Sequence, residues 1–142
     1  MDETVAQRPV RPISIVRQPI YSLFLPVPVV CFVGALITDL SYLNSGGNLL
    51  WVNFSAWLLA AGLLFGAIAL VILLIDAVRG GAAWLAFALL LAAWIVGFIN
   101  SLVHARDGWT AVAGAGLVLS IIGALLVLVA GWLSRQAVGV TP

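Results

Sequence analysis

The sequence predicts an all-α integral membrane protein, with four transmembrane helices in an antiparallel up-down bundle. Three observations carry that prediction. Hydrophobic residues make up 64% of the 142 residues and charged ones only 8%, where soluble domains carry about 25% charged residues. Mean hydropathy is +1.23. The apolar residues also fall into four runs, each long enough to supply the about 20 residues that cross a hydrocarbon core of roughly 30 Å.

The runs cover residues 20–42, 49–75, 82–103 and 111–133. Before the first lies a polar tail, 1–19, with Pro9, Pro12 and the arginines Arg8, Arg11 and Arg17, a length that argues against a cleaved signal peptide. The spanning domain extends over 20–134 and a short tail over 135–142. The connectors are SGG near Ser45, RGG at 79–81 and a HARDGW turn. Each is short, so consecutive helices are antiparallel neighbours. In the first span, Pro26 and Pro28 each remove a backbone donor, which predicts a bend or a local unwinding.

Arginine placement sets the expected orientation. With four spans, Arg8, Arg11, Arg17, Arg79 and Arg135 share one side and only Arg106 lies on the other. The positive-inside rule makes both termini cytoplasmic. There is no lysine, and a net charge of +1 indicates no nucleic-acid partner. Partners are expected within the bilayer, as other membrane subunits or further copies of the chain. The lone Cys31 cannot form an intrachain disulfide.

Polar residues gather at the outer ends of the spans: Asp39 and Tyr42 on the first, Trp51, Asn53 and Trp57 on the second, Asn100 and Ser101 on the third. They meet the block NSLVHARDGWT, which holds His104, Arg106, Asp107 and Trp109. One reading makes this an interfacial structural cluster, in which Arg106 pairs with Asp39, Asp107 caps the turn into the fourth span, and His104 bonds to Asn100 or to a partner chain. The other makes it a binding site, with His104 as the one candidate cofactor ligand, because ionisable groups within a membrane bundle are functional candidates. On the opposite side, Asp76 and Arg79 stand three apart and read as a structural pair before a glycine stop.

Small residues at helical spacing predict close helix approach: Gly62 and Gly66 in the second span, Ala93, Gly97 and Ser101 in the third, Gly116, Ser120 and Ala124 in the fourth. The sequence leaves open whether these faces meet inside one bundle or between copies. The stripe of Gly116, Ser120 and Ala124 is the one expected to face another polypeptide.

Several chemistries are set aside by inventory. One histidine and an initiator methionine cannot supply bis-His or His/Met haem ligation. The chain also lacks a zinc ligand set, a phosphate-cradling loop and a nucleophile with its own base. No acidic residue lies near the middle of a span, where a proton-coupled exporter would keep one. Catalysis, a metal site and a cofactor held by this chain alone are therefore not expected.

The segments FVGALITDLSY, AWLLAAG, NSLVHARDGWT and GLVLSIIGALLVLVAGWL resemble the bacterial membrane family catalogued as domain of unknown function 2231, over about residues 19–140. The resemblance implies a small four-span inner-membrane protein without an assigned activity. Relatives are sometimes encoded beside, or fused to, Rieske-type or quinoprotein dehydrogenase modules, which implies association with membrane electron transfer. Asp39, His104, Arg106, Asp107 and Trp109 carry over. Where that family often has histidine-proline, this chain has Tyr21 and Ser22, and it lacks a histidine near Ala86. The expected function is an accessory or structural subunit of a larger membrane complex, respiratory or photosynthetic, that binds through its helix faces. The alternatives are a quinone or haem site shared with another chain, and a small oligomeric transporter.

Overall fold

In a computed structural model, which describes residues 20–79, 84–106 and 112–138 with side chains in the last stretch described to Arg135, the four runs are helices. A short α1 (Tyr21–Phe24) leads into α2 (Pro26–Asn44), followed by α3 (Leu49–Val78), α4 (Trp84–His104) and α5 (Leu117–Val138). A wide π-helical turn, Val112–Gly116, opens the last span. Four helices are long and apolar enough to cross a membrane: Tyr21–Asn44, Leu49–Val78, Trp84–His104 and Val112–Arg135. In the ring they form, α2 packs on α3, α3 on α4, α4 on α5 and α5 back on α2.

The α1–α2 break falls at Pro26, the first of the two prolines, but the local unwinding they predict does not occur. Leu25 keeps right-handed helical angles (φ −60°, ψ −35°) and its N–H still reaches Tyr21 O at 2.9 Å. Pro26, at the first position of α2, has no N–H to give. The interruption is thus in the hydrogen-bond ladder, while the backbone keeps its helical course.

The α2–α3 connection is a tight cap. Gly46 and Gly47 adopt φ of +70° and +90°, and Gly47 N–H bonds Tyr42 O at 3.1 Å, which satisfies a carbonyl left over at the helix end. Asn48 then caps α3, its Oδ1 accepting from Leu50 N–H at 3.0 Å.

Each helix buries one stripe in steps of three and four. In α3 it includes Val52, Ser55, Leu59, Gly62, Gly66, Ala69, Leu73 and Ala77, and in α4 it is Ala86, Leu90, Ala93, Gly97, Asn100 and His104. Such a period of about 3.5 is that of left-handed knobs-into-holes packing. Because lipid is as apolar as leucine, burial alone does not hold membrane helices together, and close contact and hydrogen bonds must. Phe32 of α2 supplies the closest contact. Its ring lies against Gly62 of α3 and Gly97 of α4, where an added Cβ would stand 2.6 Å from ring carbons. Gly66 makes similar room for Trp94, whose indole N–H donates to Leu63 O at 2.9 Å.

Two expectations about packing are corrected. Gly116, Ser120 and Ala124 are buried inside the bundle, with Ser120 at 4% and Ala124 at 3% exposure, so this stripe does not face another polypeptide. In α4 the buried stripe turns from Gly97 to Asn100 instead of Ser101, whose hydroxyl returns to Phe98 O at 2.7 Å. The physical reason is common to both: the polar groups on α2 and α3 need partners, and only the stripes carrying Asn100 and Ser120 supply them.

Candidate functional site

Thr38, Ser55, Asn100, His104 and Ser120 converge on Asp39. It stands five residues before the end of α2, roughly 8 Å inside the bundle at 1.5 Å per residue. Its side chain is fully buried. Ser55 Oγ donates to Oδ1 at 2.5 Å and Ser120 Oγ to Oδ2 at 2.5 Å. His104 Nε2 lies 3.0 Å from Oδ1. All four spans therefore contribute, Asp39 from α2, Ser55 from α3, His104 from α4 and Ser120 from α5.

A second tier orients the first. Thr38 Oγ1 lies 2.6 Å from Ser55 Oγ and also within 2.9 Å of Ala35 O. Asn100 Nδ2 donates to Ser120 Oγ at 2.8 Å. Ser120 gives its one hydroxyl proton to Asp39 and accepts from Asn100, while the single proton of Thr38 is directed at the Gly34 and Ala35 carbonyls. One donor chain, from Asn100 through Ser120, thus runs inward to the carboxyl group. Asn100 Oδ1 is the one cluster atom buried without a partner among the described residues.

Both nitrogens of His104 are engaged. Nδ1 lies 3.0 Å from Asn100 O, one turn back in α4. A carbonyl can only accept, so Nδ1 carries a proton, and one further proton lies between Nε2 and Asp39 Oδ1. The pair holds two protons and no net charge, whether written as imidazolium with carboxylate or imidazole with carboxylic acid. That neutrality suits a site beneath the membrane surface, where an unpaired charge is costly.

The structure separates residues that the sequence grouped. Asp39, Asn100 and His104 come together, but Arg106 is exposed beyond the end of α4 and makes no ion pair with Asp39. The expected Arg106–Asp39 pair is replaced by His104–Asp39 because His104 lies on the buried stripe of α4 and Arg106 lies past the last turn. Asp107 and Trp109 fall outside the described residues. At the other end, Arg79 is exposed and caps α3 through its backbone, with N–H to Ile75 O at 3.1 Å. No ion pair joins it to Asp76 among the described residues.

Sequence reasoning missed Thr38 and Ser55, and read Ser120 for its size alone. A signal was present. Ser55 and Ser120 are lone hydroxyls followed by long apolar stretches, and an isolated polar residue within a span marks a face turned to the bundle interior. Among the described residues, no three His, Cys, Asp or Glu side chains gather in a group able to hold a metal ion.

Comparison with known proteins adds one finding. The family described as "Predicted membrane protein (DUF2231)" matches residues 17–141. No curated protein and no solved structure matches the chain.

Proposed function

The chain belongs to the DUF2231 family of predicted membrane proteins, and on that premise we propose that it is a non-catalytic accessory subunit, binding the rest of a larger membrane complex through its outer helix faces. The observation that carries this reading is the saturation of the Asp39–His104 pair. Both carboxyl oxygens and both imidazole nitrogens already have protein partners. The serines bond to the aspartate and not to the histidine, which is not the arrangement of a nucleophile with its base. The polar chemistry is spent on joining the four helices. What remains for recognition is the outer surface, which presents side chains such as Trp57 and Trp132 at 71% and 62% exposure. Membrane electron transfer, respiratory or photosynthetic, is the setting to which the family resemblance points, and the arginine asymmetry supports an inner-membrane placement with cytoplasmic termini.

The second reading, a quinone or haem site shared with another chain, requires His104 to release Asp39 or Asn100. A small transporter would require the same cluster to open. The test is purification of the tagged chain from its native membrane in mild detergent, with subunits identified by mass spectrometry and an absorption spectrum recorded. Stoichiometric larger partners with a featureless spectrum are expected. A Soret band that vanishes in His104→Ala establishes the shared haem site instead, and a homogeneous chain without partners removes the accessory-subunit reading.

A further inference from the structure

At the end of the bundle opposite His104, a groove of about 640 Å³ runs along the outside of the seam between α1–α2 and α5. Its size lies within the roughly 300–1,000 Å³ of small-molecule sites. Val29, Val30 and Leu128 form its apolar wall, and Ser22, Trp132 and Arg135 lie toward the chain-terminal end. From Leu128 to Arg135 the wall climbs seven residues of α5, roughly 10 Å. The groove is thus oriented along the membrane normal, apolar at depth and polar at its mouth.

Three features of the mouth identify its occupant. Arg135 is exposed and has no carboxylate partner among the described residues. Trp132 is 62% exposed one turn deeper, the position at which an indole sits between headgroup and acyl chain. Ser22 Oγ is buried with no hydrogen-bond partner among the described residues, so a lining hydroxyl is free to meet a headgroup oxygen. The Tyr21 hydroxyl is already committed to Ser134 O, at 3.4 Å, and Asp76 is not among the lining residues.

We propose that this groove holds one phospholipid with an anionic headgroup, its phosphate on Arg135 and Ser22 and its acyl chain along Val29, Val30 and Leu128. An apolar trough ending in an uncompensated cation matches a molecule with a hydrocarbon chain below a negative charge, and matches a zwitterionic lipid less well. The arginine distribution predicts that this end faces the cytoplasmic leaflet, whose surface is anionic.

The test is native mass spectrometry of the full chain released from detergent, titrated with phosphatidylglycerol or with phosphatidylcholine. Wild type is expected to bind phosphatidylglycerol about fivefold more tightly, the ratio one arginine near an anionic surface supplies. Arg135→Gln brings the two lipids to near parity. Val30→Trp, at a position already 68% exposed, fills the trough and weakens both lipids without touching the core. Equal binding of both lipids by wild type overturns the proposal, as does a preference that survives Arg135→Gln or lipid binding that survives Val30→Trp. Dimers that disappear in Val30→Trp while lipid binding persists identify the groove as a contact between copies and overturn it equally. The wild-type comparison needs no variant, so a substitution that fails to fold leaves the test intact.

Discussion

His104 and Arg106 are two residues apart and have opposite fates. The end of a helical stripe decides which becomes the partner of Asp39: His104 closes the buried stripe of α4, whereas Arg106 lies beyond it. Removing one member of a buried pair costs about 3–5 kcal/mol, while a change at an exposed residue lies within about 0.5 kcal/mol. His104→Ala and Asp39→Ala are each therefore expected to lower stability by about 3 kcal/mol, whereas Arg106→Gln changes it by less than about 0.5 kcal/mol. Unfolding of the four proteins in mixed micelles checks this. The double mutant His104→Ala/Asp39→Ala loses less than the sum of the singles. Strict additivity would show that the pair does not interact. Ser120→Ala leaves Asp39 Oδ2 and Asn100 Nδ2 without their partner, so a loss of about 1–3 kcal/mol is expected in the same assay.

Among the elements, the small residues explain how helices of this composition approach one another. Phe32 projects from α2 into the space that Gly62 and Gly97 leave open, and Ala35 above it is fully buried. A methyl group at either glycine must displace the ring, and overpacking of this kind costs about 1–3 kcal/mol. Gly62→Ala and Gly97→Ala are expected to fall in that range in thermal unfolding. Phe32→Leu combined with Gly97→Ala recovers part of the loss, because the shortened side chain frees the volume that the methyl takes. If the double mutant is no better than Gly97→Ala alone, the ring is not the obstacle. The α2–α3 connection has its own sensitive position. Gly46 holds φ at +70° with open space around it, so Gly46→Ala is opposed by backbone strain alone and is expected to cost about 1 kcal/mol.

For the molecule as a whole, length and polarity must agree with a bilayer. The 30 residues of α3 span roughly 45 Å, well beyond the about 30 Å of hydrocarbon, which a helix accommodates by tilting or by emerging at an end. Orientation is a property of the whole chain that no single helix carries. Reporter fusions after Gly46 and Gly108 are expected to read outside, and fusions after Gly80 and Pro142 inside. A reversed reading at all four sites would invert the bundle, and a failure to alternate would contradict the four spans.

The sequence by itself determined the number of spans, their order, the place of the proline interruption and the residues small enough for close packing. Each depends on properties local to the chain: hydropathy over about twenty residues, a missing N–H, side-chain size at helical spacing. It also marked Asp39, Asn100 and His104 as exceptional, since a polar group within an apolar run stands out regardless of what surrounds it. Only the tertiary structure decided what those groups do. The Asp39–His104 bond joins residues 65 positions apart and the Ser120–Asp39 bond residues 81 apart. Whether a stripe of small residues faces inward or outward depends on rotation of each helix about its axis. Hydropathy leaves that rotation almost undetermined, because lipid and bundle interior are both apolar. The rotation is selected by the few polar side chains that must find one another, and the position of their partners becomes defined only when all four helices are in place.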